Sequence, residues 1–171
     1  MSDPIVFVQD IVAHDAYAIP SSLKLLRRQP WELGQIILYQ HQVHQEFENR
    51  SRQIIDVLGC QVFRQVPEGW SPCGGSSFGI NYALPVSHLV QLAGGTGSCE
   101  QVHYADVYGW AIAPEVTVVE AEFDSGQVLR SECTKNVFAL VAANATQVIR
   151  FRVYDGSDQV LLQQTSPPFS A

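Results

Sequence analysis

Turn-forming residues recur about every ten positions through the last third of the chain, at Asp124-Ser125-Gly126, Lys135-Asn136, Asn144-Ala145 and Asp155-Gly156. Between them lie short β-prone runs: "EVTVVEAEF", "QVLRSEC", "NVFALVA", "QVIRFRVYD" and "QVLLQQT". Turn chemistry at such regular breaks is what an antiparallel sandwich or barrel requires. Alternation points the same way. In "QVIRFRVYD", Ile149, Phe151 and Val153 fall on one side of a strand, and Arg150, Arg152 and Tyr154 on the other. On a helix the two arginines would split the apolar stripe. Phe138 and Leu140 of the preceding run are expected on the same inner face. The pattern predicts an all-β, antiparallel β-sandwich with little helix.

The segment from Asp106 to about Gln163 carries a Tyr108-Gly109-Trp110 entry, Pro114, repeated valine pairs and an Asp-Ser-Gly hairpin turn. In these features it resembles the immunoglobulin-like or fibronectin-III-like sandwich of bacterial accessory modules. The Cys…Trp…Cys spacing of an antibody domain is missing, and the resemblance implies a fold class, not a function. The first hundred residues also read mainly as β. "GQIILYQHQVHQEF" puts Ile37, Tyr39, His41 and Val43 on one face, and "CQVFRQV" sets Val62, Arg64 and Val66 opposite Phe63. "QIIDVL" is read as a strand for its β-branched content, in preference to a short helix over Glu48 to Leu58. The opening "IVFVQDIVA" is read as another strand. Glycine and serine concentrate in "SPCGGSSFG" and "AGGTGSCE", both read as loops. One compact β domain over 1–171 and two abutting halves, 1–105 and 106–171, both fit this pattern.

With 171 residues the chain is long enough to bury a sizeable core without a covalent staple. Hydrophobic residues make up 46% and charged residues 16%, and 17 acidic against 10 basic side chains leave a net charge of −7. That balance lacks the basic footprint from which nucleic-acid affinity derives, and it disfavours anionic membrane surfaces. No apolar run is long enough to span a bilayer. The start, "MSDPIVFVQDIVAHD", lacks a basic leader region, which makes a cytoplasmic location the default expectation. An extracytoplasmic location fits if the sequence is a mature form. Cys60, Cys73, Cys99 and Cys133 form no C-x-x-C pair. In a reducing compartment they are expected as free thiols, and in an oxidising one a Cys73–Cys99 bridge is the first pairing to consider. The triplets Asn49-Arg50-Ser51 and Asn144-Ala145-Thr146 are read as coincidental matches to a glycosylation motif.

Gly75-Ser76-Ser77-Phe78-Gly79 spells the G-x-S-x-G of serine hydrolases. A nucleophile elbow needs a strand running into the serine and a helix leaving it. Pro72, Gly74 and Pro85 deny Ser77 both. Gly94-Gly95-Thr96-Gly97-Ser98 is followed by Cys99 and Glu100, without the lysine of a phosphate-binding loop. His41 and His44 would face opposite sides of a strand, with His44, Glu46 and Glu48 aligned, and no metal or cofactor is expected. Glu120 and Glu122 share a strand face, and cross-strand pairing with Arg130, Arg150 or Arg152 accounts for them better than glycosidase chemistry. Cys73 and Cys99, flanked by glycines, are candidates for a reactive thiol or a disulfide, with His88 or His103 as the base in the first case.

By elimination the chain is expected to be a non-catalytic binding, accessory or assembly module. Its partner is expected to be another protein or a second copy, along a sheet face or edge. Candidate contact residues are Trp70, Tyr104, Tyr108, Trp110, Arg150 and Arg152. The alternatives are a small cysteine- or serine-dependent hydrolase built on the glycine-rich segments and a carbohydrate-binding module using Trp70 and Trp110.

Overall fold

A computed structural model describes residues 3–46 and 51–165. Glu48 and the start of the Asn49-Arg50-Ser51 triplet lie outside them. The described chain forms a helix, α1 (Pro4–His14), and eleven strands. These are β1 (Ala18–Trp31), β2 (Gly34–Glu46), β3 (Arg52–Val66), β4 (Gly69–Gly79), β5 (Val90–Cys99) and β6 (Val102–Ala111). The series continues with β7 (Val118–Phe123), β8 (Val128–Glu132), β9 (Val137–Ala143), β10 (Val148–Tyr154) and β11 (Val160–Thr165). All pairings are antiparallel, in three sheets: a first sheet β1-β2-β3-β4, a middle sheet β5-β6-β9 and a third sheet β11-β10-β7-β8. No helix among the described residues is long and apolar enough to cross a membrane.

The core explains the layering. Phe138, Leu140 and Ala142 of β9 pack with Phe123, Phe151 and Val153 of the third sheet. Val137, Ala139 and Val141, on the other side of β9, pack with Ile36, Leu38, Leu58 and Val62 of the first sheet. The first sheet's far face carries Ile37, Tyr39 and Phe63, which bury Val8 and Val12 of α1. The order is therefore helix, first sheet, middle sheet, third sheet. A strand covered on both faces needs no polar alternation, and all seven residues of β9 are buried. The strands β5 to β11 divide three and four, the partition of an immunoglobulin-like sandwich. They begin at Val90, and the boundary expected near residue 105 falls inside β6.

Two expectations are corrected. "IVFVQDIVA" is helix, not strand. The Asp3 side chain accepts a hydrogen bond from Ile5 N (2.9 Å) and Pro4 opens the first turn, so the cap outweighs the β-branched content. Val8 and Val12, one turn apart, supply the buried stripe. The two glycine-rich segments are strands, not loops: β4 pairs with β3 and β5 with β6. Their glycines answer bulky groups nearby. A Cβ on Gly97 would collide with the ring of Tyr104, its cross-strand partner, and one on Gly75 with the Gln61 side chain. The same pairing recurs at Gly59 with Tyr39 and at Gly109 with Phe138. Aromatic rings lying over strand glycines stabilise pairing that glycine alone would weaken.

Sheet edges are handled unequally. Gln29 Nε2 of β1 donates to the Ala139 carbonyl of β9 (2.8 Å), and Arg27 Nη1 donates to the Glu132 carbonyl of β8 (2.5 Å). β4 and β5 meet through a Cys73–Cys99 disulfide with Cα atoms 4.5 Å apart. β1 itself is blunted by Pro20, Pro30 and two register shifts. β11 differs: β10 lies on one side, among the described residues no strand lies on the other, and "VLLQQT" contains neither charge nor proline.

Candidate functional site

α1 covers only part of the first sheet's outer face. Its 11 residues extend roughly 16 Å, against roughly 40 Å for the 13 residues of β2. Beyond the helix end the uncovered face forms a cleft of about 470 Å³ whose lining includes Asp15, Tyr17, His41, Val43, Ile55, Val57 and Ser77. His41 is 5% exposed, stacks on Tyr39 with ring centroids 5.8 Å apart, and among the described residues has no hydrogen-bond partner for Nδ1. Burial holds its pKa below the usual histidine value, and the nearby Asp15 carboxylate opposes that shift.

Serine, histidine and aspartate thus line one cleft, but register keeps the first two apart. Ser77 pairs with Gly59 and His41 with Val57, so β3 runs between them. Two strand spacings of about 4.8 Å each, plus the stagger, exceed hydrogen-bond reach. Asp15 Oδ1 accepts from the backbone N–H of Tyr17 (2.9 Å), and no hydrogen bond joins it to His41. Ser77 sits within a paired strand, without the strained turn of a nucleophile elbow.

The other candidates are dispersed. Cys73 and Cys99 are bonded to each other, so neither presents the thiolate that a cysteine hydrolase requires. The free thiols are Cys60, buried and pushed well above its ordinary pKa, and Cys133, pushed up to about 12; burial is the main cause in both. Tyr104 and Tyr108, expected as contact residues, lie in the core between the first and middle sheets and offer no exposed stacking surface. The Tyr108 hydroxyl is 2.9 Å from Ser76 Oγ. Trp70 packs with α1 on the outer face of the first sheet, whereas Trp110 packs on its inner side, edge-on to Tyr82. The sheet separates the two indoles, and they cannot hold one sugar between them.

On the third sheet's outer face the carboxylates meet arginines. Arg150 pairs with Glu122 at 3.0 Å, and Arg152 with Glu120 at 2.5 Å. Glu120 also takes Arg130 at 3.7 Å and the Tyr154 hydroxyl at 3.1 Å, while the Arg130 guanidinium lies 4.7 Å from the Tyr154 ring centroid. Arg150 and Arg152 are thus engaged within the sheet. Among the described residues no group of three or more potential ligands can hold a metal ion.

Asp106 is a charge without such compensation. It lies on β6 opposite Gly95 and Val141, between Tyr104 and Tyr108 in sequence, and burial raises its carboxyl pKa to about 6. A folded-state pKa above the unfolded one means that ionisation opposes folding, progressively from about pH 4 upward and fully above about pH 6. Asp106 is half-buried, so solvent screening reduces the effect. Asp106→Asn is therefore expected to stabilise the protein by at most about 3 kcal/mol at pH 8 and by less than about 0.5 kcal/mol near pH 4, as read from urea unfolding at the two pH values. Equal effects at both would show that the carboxyl is solvated.

Sequence reasoning singled out His41 but missed its neighbours Asp15 and Tyr17. They reach the cleft only because α1 ends beside it, and the Asp3-Pro4 cap was the available signal. No family model, curated protein or solved structure matches the chain.

Proposed function

We propose that the protein is a non-catalytic binding or assembly module that works through protein–protein contacts, with the free edge of β11 as its docking strand. The supporting observation is the contrast among edges. The others are bridged by side chains, cross-linked or blunted, whereas β11 offers an uncharged row of backbone groups, with Val160 46% exposed at its start. A strand added there satisfies those groups and extends the third sheet. A second copy presents the same uncharged strand and can pair antiparallel about a two-fold axis. The neighbouring charges on β7 and β10 are already neutralised in pairs, so the net charge of −7 is not focused on this edge. The Cys73–Cys99 bridge favours an oxidising compartment for this activity.

Sedimentation velocity tests the reading. The native chain is expected to dimerise at concentrations of about 10–100 μM, a weak-interface range. The Val160→Lys/Thr165→Lys double variant is expected to remain monomeric with an unchanged melting curve. A native chain that stays monomeric throughout, or a double variant that still dimerises, would remove β11 as the contact.

A further inference from the structure

The cleft beside α1 is separate from the β11 edge, and its chemistry selects a ligand class. We infer that it binds a small protonated amine carrying an apolar body. Among the described residues its walls hold the carboxylates of Asp15 and Glu46, the imidazoles of His41 and His44, and no lysine or arginine. Among the described residues Glu46 pairs loosely with Arg52, at 3.9 Å and exposed to solvent. The C-terminal end of α1, at His14, adds the negative pole of the helix to the same rim. Anions are repelled from such a site and cations drawn to it.

The remaining walls fit the body of such a ligand. Val43 and Ile55 are cross-strand partners, and Val57, partner of His41, continues the same apolar floor. Tyr17, 65% exposed at the rim, supplies an aromatic face of the kind on which ammonium groups rest. His41 adds the observation that acidic side chains alone would lack. It is a nearly inaccessible imidazole in the cleft wall with an Nδ1 unpartnered among the described residues, held toward its neutral form by burial. A neutral imidazole carries a lone pair that an N–H donor can satisfy. A volume of about 470 Å³ lies within the range of small-molecule sites.

The experiment is an NMR titration of the full chain with phenethylammonium, set against 2-phenylethanol and 3-phenylpropionate as neutral and anionic counterparts of similar shape. Phenethylammonium is expected to saturate with a Kd of about 1 mM, shifting resonances of Tyr17, His41 and Val57, with both counterparts at least about tenfold weaker. Asp15→Asn keeps the oxygen that accepts from Tyr17 N–H, so the turn persists while the charge is lost, and about tenfold weaker amine binding is expected. Val57→Lys, which places a cation in the cleft, is expected to abolish binding in a chain whose remaining spectrum stays folded. Equal binding of the alcohol or the acid, undiminished binding by Asp15→Asn, or no shifts up to about 20 mM amine would each overturn the inference.

Discussion

Replacing Cys73 and Cys99 together by serine is expected to cost about 3 kcal/mol of stability. The bridge closes a loop of 26 residues, and removing it restores the chain entropy that such a loop forfeits in the unfolded state. It is also the covalent tie between the edges of β4 and β5, two strands in different sheets. Urea unfolding should show a lower midpoint with little change in the folded-state spectrum, and the native chain in excess reductant should match the double variant. An unchanged midpoint in both would mean that the noncovalent packing of β4 on β5 suffices alone.

Gly109→Ala should be nearly as damaging, at about 3 kcal/mol. Gly109 sits on the central strand of the middle sheet, and a Cβ there would collide with the Gln91 backbone carbonyl and the Phe138 ring. Neither can yield easily, since β5 and β9 flank β6 on both sides. Gly97→Ala introduces a similar clash, but only with the side chain of Tyr104, and should cost about 1 kcal/mol. The ordering is the test, read from chemical denaturation of the two variants side by side. Equal losses would mean that glycine matters at these positions through backbone entropy and not through close approach.

These two glycines also mark where the sequence was legible and where it was not. β10 could be read because it has a solvent face, where Arg150 and Arg152 alternate with Phe151 and Val153. β9, buried on both faces, was marked instead by the turns around it: Asn136 and Asn144, like Gly126 before β8, adopt the positive φ that such breaks require. The cross-strand pairing of Glu120 and Glu122 with arginines followed from the same alternation. The glycine-rich strands could not be read, because what their glycines accommodate is a side chain on a partner strand, Tyr104 at Gly97 and Gln61 at Gly75, and partner register is not a local property. α1 was hidden for the opposite reason. Its cap at Asp3-Pro4 is local and visible, but valine and isoleucine masked it by favouring a strand. Missing that helix also hid the cleft, since Asp15 and Tyr17 reach the face of His41 only through the turn in which α1 ends.

The double burial of the middle sheet bears on how the chain comes apart. β9 draws its apolar contacts from both outer sheets at once, Phe138 on one side and Val137 on the other. Neither outer sheet can peel away without wetting a surface that has no polar face to offer. Local opening should therefore be confined to the rims, at α1 and β11, while the strands between them gain and lose structure as one cooperative unit. Rim segments that open cheaply around a centre that does not can exchange with solvent while the remainder of the fold stays closed.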